Sequence, residues 1–186
     1  MTNFRFAVAA VISVFVLLTA GGIVQGASEN LATEQQEIIL VKDGKPVHNL
    51  FCLPNDEAAP AVVLAMKEYR SLVKKATGIE PLRVEKPVTG SPTIFFGRNP
   101  WSTKAEITAE DLPSEGFRIR SIGQDIHIVG RDTPKVGAHQ VAARVGMEPG
   151  TLYGTYEFLE RYYGMLFAWH DDLGTITPPQ KDLTIR

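Results

Sequence analysis

The chain has 186 residues, of which 44% are hydrophobic and 22% charged, which is enough apolar material for one globular domain. Its formal charge of −2 and isoelectric point near 6.1 leave no basic footprint for nucleic acid, so that class of partner is not expected.

The first 26 residues read as an export signal. Arg5 supplies a positive start, Phe6 to Leu18 form an uncharged apolar run, and "GGIVQGA" offers small residues for cleavage close to Gly26 or Ala27. The run is short for a membrane span of roughly 20 residues, and an uncleaved N-terminal anchor is the alternative. Removing Arg5 with this segment leaves 18 basic against 21 acidic side chains, a charge of −3. The mature protein is expected to be periplasmic or extracellular, with no stable membrane association. Residues 27–36 are polar and predict a disordered linker. Cys52 is the only cysteine, so no internal disulfide forms, and it reads as a small core residue. An exported domain with neither a disulfide nor an N-x-Ser/Thr sequon suits a bacterium.

Two apolar runs around Asp43-Gly44 predict strands over 37–42 and 46–52 joined by a tight turn. The next element is a helix over 57–77. Val62, Met66, Tyr69, Val73 and Ala76 recur at spacings of four and three on one face, widened by Ala65 and Leu72. Asn55 or Asp56 is expected to cap it, and Gly78 followed by Pro81 to end it. Strands follow near 82–84 and 93–97, then a polar loop over 98–115. Residues 116–130 alternate as a hairpin around Gly123-Gln124, with His127 expected on the solvent face. Residues 132–149 hold two prolines and two glycines and predict a mobile excursion. A second helix spans 151–163, with Leu152, Tyr156, Leu159 and Tyr163 on one face and Gly164 as its stop. "MLFAW" is a strand, "HDDLGT" a turn, and "LTIR" a final strand. The element order implies an α+β fold with a single mixed sheet and two main helices packed on one face.

The pattern "EGFRIR…DIHIVGRD…GTLYGTYEFLERYYGMLFAW…DLGTITP" resembles the N-terminal domain of α-glucuronidases. It is similar also to domain 2 of chitobiase and β-hexosaminidases. The resemblance covers roughly residues 37–186. Gly164, Trp169, Leu173 and Gly174 match the family pattern, and Asp172 stands at its acidic position. Leu166 and Phe167 replace an arginine-tryptophan pair, and His170 and Asp171 replace proline-glycine. The resemblance implies an accessory domain of an exported, bacterial glycoside hydrolase concerned with polysaccharide breakdown. Its partner is then a catalytic TIM-barrel domain that carries the catalytic carboxylates and would begin where this chain ends, at Arg186. The alternative is a stand-alone module that binds a glycan or a partner protein without chemistry.

The residues themselves offer few catalytic arrangements. Glycoside hydrolysis uses two carboxyl groups facing each other, roughly 5 to 9.5 Å apart. Asp171 and Asp172 are adjacent and tend to diverge, and "HDDLG" is well formed as a turn. His170 beside Asp171 is the remaining arrangement with site character. Glu157 and Glu160 share a helix face with Arg161 as a solvated surface. None of the four histidines has a metal-ligand spacing, so no catalytic residue, metal or cofactor is expected. For a glycan, Arg98 and Trp101 in "GRNPWST" form the best pair. The indole can stack on a sugar and the guanidinium can grip a uronate carboxylate, unless Trp101 tucks under the loop as an anchor. Trp169, His170, Asp171 and Asp172 complete the candidate substrate contacts. Tyr153, Tyr156, Phe158, Tyr162 and Tyr163 crowd the second helix, and some are expected to lie outside the domain's own core, against a partner domain.

Overall fold

In the computed structural model, which describes residues 36–134, 148–168 and 174–186, the chain begins with the hairpin that Asp43-Gly44 predicts. Both residues take positive φ, 51° and 73°, the backbone of a two-residue loop whose twist matches its strands. β1 (Ile38–Lys42) pairs antiparallel with β2 (Lys45–Pro46) and, on its other side, with β10 (Leu183–Ile185). The strand expected over 46–52 divides in two. After Pro46 the chain leaves this sheet and enters a larger one as β3 (Asn49–Phe51).

His48 holds that crossing. Its Nδ1 lies 2.9 Å from the Leu40 carbonyl, which can only accept, so Nε2 is left to accept from the Tyr69 hydroxyl at 3.0 Å. The Tyr69 oxygen lies 2.9 Å from the Tyr163 hydroxyl, and all three side chains are buried. Burial holds the imidazole neutral, lowering its pKa to about 4.

The larger sheet has the order β4-β3-β5-β7-β6. β4 (Leu82–Arg83), β3, β5 (Thr93–Phe96) and β7 (Asp125–Gly130) run parallel, and β6 (Phe117–Ile122) closes one edge antiparallel. α1 (Pro60–Thr77) crosses from β3 to β4, and α3 (Gly150–Tyr163) follows β7. Both helices lie on one face and pack against each other. Leu50, Ile94, Phe96, Ile126 and Ile128 point into this layer, where they meet Tyr69, Phe158 and Tyr163. β8 (Leu166–Phe167) and β9 (Thr175–Ile176) form a separate antiparallel pair. The class is α+β as the element order implies, with the strands shared among this mixed sheet and two smaller antiparallel ones. No helix among the described residues is long and apolar enough to cross a membrane.

The predicted face of α1 is buried at every position named, and Gly78 ends the helix in the left-handed conformation (φ 78°). Its start differs from expectation. Neither Asn55 nor Asp56 caps it; Pro54 accepts from the amides of Glu57 and Ala58, a tight turn that delays the helix to Pro60. α3 is rotated relative to its aromatic stripe. Gly150, Thr151, Gly154, Thr155, Phe158, Leu159 and Tyr163 are the buried residues, while Leu152 and Tyr156 are only partly covered. A Cβ on Gly154 would lie 3.0 Å from both Ile128 and Phe117, so the glycine permits a close helix–sheet approach.

That approach lets the domain absorb most of the crowded aromatics. Phe158 and Tyr163 are buried, Tyr162 stacks at a tilt on Phe158, and Tyr156 packs edge-on against Phe167. Tyr153 alone of the five is strongly exposed.

Candidate functional site

The two parallel strands at the centre of the sheet send their chains to opposite faces. β3 feeds α1 on the helical face. β5 feeds a short helix, α2 (Pro100–Lys104), whose Trp101 lies against Phe51 and Phe95 on the other face. Such a divergence opens a crevice outside the carboxyl ends of the strands, the usual ligand position in open sheets of parallel strands. Here it is a cavity of about 550 Å³, within the range of roughly 300–1,000 Å³ typical of small-molecule sites.

The walls come from four places. Leu53 follows β3, and Ala58, Ala59 and Val62 belong to the approach and first turn of α1. Arg98 and Thr103 come from the β5–α2 connection. Ile107 to Glu110 form the far side, and Val129 to Asp132 the end of β7, with Pro134 and Glu148 beside them. Gly97 brings the β5 end close to α1. Its φ is 67°, and a Cβ there would fall 2.4 Å from Val62, so only glycine fits without a shift.

Local hydrogen bonding shapes the loop where a purely polar connection was expected. The Asn99 side chain accepts from the amides of Trp101 and Ser102 at 3.0 Å, and the Ser102 hydroxyl accepts from the Asn99 amide at 2.9 Å. This reciprocal cap starts α2 at Pro100. Its signal, Asn then Pro with Ser at the third helical position, is legible in "NPWS". The cap also separates the two candidate residues. Arg98 faces the cleft, whereas Trp101 is half-buried with its ring centroid 4.6 Å from Phe51 and 5.8 Å from Phe95. Trp101 is placed as an anchor, outside the cleft walls.

Each described charged group of the cleft has a partner within the domain. Arg98 lies 3.0 Å from Glu110 across the mouth, and both are largely exposed. The Glu110 carboxyl titrates below its usual range, chiefly through its own backbone amide, with the Thr108 hydroxyl and Arg98 contributing in the same direction. Arg131 donates from Nε to Glu148 at 3.1 Å and from Nη1 to the Leu112 carbonyl at 3.0 Å, and Ser114 donates to Glu148 at 2.8 Å. Asp132 receives the Thr151 amide at 2.9 Å and the Thr151 hydroxyl at 2.5 Å, so it caps α3 from two residues beyond the end of β7. Burial pushes its carboxyl upward, opposed by those two bonds.

The segments "VGRD" and "PGT" therefore build one junction. Gly130 donates its amide to the Thr151 hydroxyl at 2.9 Å, and a Cβ on Gly130 would fall 1.9 Å from the Thr151 nitrogen. A Cβ on Gly150 would fall 2.4 Å from the Gly116 carbonyl oxygen. The close approach of two backbones explains why glycines stand at both positions.

On the far face of the sheet, Phe51, Phe95, His127 and Arg120 lie in register across four strands. His127 is buried rather than solvent-facing. The 98–116 connection folds over this side, and Phe95 stacks on the imidazole at 4.6 Å with the rings 7° from parallel. Its Nδ1 has no hydrogen-bond partner among the described residues, and burial lowers its pKa to about 4.

Trp169, His170, Asp171 and Asp172 lie outside the described residues, as do residues 135–147 of the expected excursion. Glu157 pairs with Arg161 one turn on, at the helix surface. Among the described residues no three His, Cys, Asp or Glu side chains are grouped to hold a metal ion. Compared with known proteins, the chain matches no family model and no curated protein sequence.

Proposed function

We propose that this chain is an accessory, non-catalytic domain of an exported carbohydrate-active protein of glycoside-hydrolase architecture, and that its cleft contacts glycan. The resemblance of its hairpin and second helix to α-glucuronidase N-terminal domains supplies the class. The supporting observation is the state of the carboxylates. Glu110, Asp132 and Glu148, the three that line the cleft among the described residues, are each bound to a cation or a helix start of the domain itself. Such carboxylates orient a ligand; they are not a free acid–base pair facing across a scissile bond.

A second reading, docking to a catalytic barrel or another protein, is favoured by one feature. Leu166 and Ile176 are opposite one another on the β8–β9 pair and remain 50% and 58% exposed. The direct test combines turnover of aryl glycosides and glucuronoxylan fragments with glycan binding by the same purified chain. Binding without turnover supports the reading. Turnover abolished by Asp171→Asn or Asp172→Asn overturns it.

A further inference from the structure

We infer that the cleft selects a neutral, ring-form polyol, a hexose-type sugar unit, and disfavours the corresponding uronate. The inference rests on the glycan-contact reading above and narrows it. Arg98 by itself invites an acidic sugar, because a guanidinium grips a carboxylate in two places. In the folded protein one amino group of that guanidinium, Nη1, is already held by Glu110 at 3.0 Å. Arg131 is likewise held by Glu148 at 3.1 Å. Asp132 adds a third carboxylate, so among the described residues the walls carry three acidic side chains against two basic ones. A uronate at Arg98 would stand beside the Glu110 carboxylate, with Asp132 and Glu148 on the described walls, and like-charge contact at such sites is costly.

A neutral ring meets no such conflict. Leu53, Val62, Ile107 and Val129 supply an apolar surface for its C–H face. The Arg98–Glu110 pair at the mouth sets a donor beside an acceptor, which suits two neighbouring hydroxyls that each donate and accept. The pair can make these bonds without separating.

The test is a titration of the whole chain, followed by NMR or calorimetry, with methyl glucoside and methyl glucuronide as probes. The glucoside is expected to bind, and the glucuronide to bind roughly tenfold more weakly at low salt. Glu110→Gln, an exposed change, should narrow that gap by raising glucuronide affinity. Arg98→Ala should weaken the glucoside several-fold while the melting temperature stays within about 1 °C, as expected for an exposed pair. Equal or tighter binding of the glucuronide, or glucoside binding indifferent to Arg98→Ala, overturns the inference and leaves the accessory reading standing. If neither probe nor a longer glycan binds, the glycan-contact reading itself fails.

Discussion

The two faces of the main sheet are built on different principles. The helical face is closed by α1 and α3 over Leu50, Ile94, Phe96, Ile126 and Ile128. Its alternating strand residues are aliphatic or aromatic, and the helices approach closely through Gly154. The opposite face carries Phe51, Phe95, His127 and Arg120, and is covered by a five-residue helix and its flanking loops. The first face supplies cohesion through buried area. The second leaves an open cleft beside paired charges, at the point where the coverings of the two faces part. A domain can accommodate an open crevice there because the other layer already holds the sheet together.

The sharpest way to break this contrast is to remove a side chain from the closed layer. Phe158 is fully buried among Tyr69, Tyr162 and Tyr163. Phe158→Ala should cost about 3–5 kcal/mol in urea unfolding, the usual range for a truncated core aromatic. A loss below about 1 kcal/mol would show that the helical layer is not the principal core.

Acid should weaken both faces at once. His48 and His127 are neutral in the fold, each with a pKa of about 4 against an ordinary 6.5. Between those values the unfolded chain binds protons that the folded one does not, so stability falls as pH drops from about 6.5 to about 4. The loss should approach about 3 kcal/mol per histidine, full stability from these groups being present above pH 6.5 or so. Unfolding free energies measured across this range, in the parent and in His127→Gln, separate the two contributions. A flat profile would mean that neither ring is kept neutral by burial.

The smallest expected effect concerns the second face alone. Trp101→Ala removes a half-buried indole that rests on Phe51 and Phe95, and should cost about 1–3 kcal/mol of stability. Because the ring is an anchor, thermal melting should register the change while sugar affinity per folded molecule shifts little. A large loss of affinity at unchanged stability would return Trp101 to the ligand.

Both main helices, the Asp43-Gly44 turn and the 116–130 hairpin are legible from the order of residues. Each depends on contacts a few positions apart or on a period of two or 3.6, and those are printed in the chain. The role of the "VGRD" and "PGT" segments was not legible. Gly130, Asp132, Gly150 and Thr151 form their junction across some twenty positions, and only the close approach of two backbones explains both glycines. His127 shows the same limit. Its strand alternation marks it as lying opposite the isoleucines, but alternation says which side a residue takes and not what covers that side. The cover comes from the 98–116 connection. Arg98 shows it for chemistry: the order of residues identifies a cation after a strand, while the fold sets Glu110 opposite it. Local pattern determined the elements of this protein. Charge pairing, burial and the cleft were decided by distant segments meeting, because desolvation and ion pairing depend on distance in space rather than along the chain.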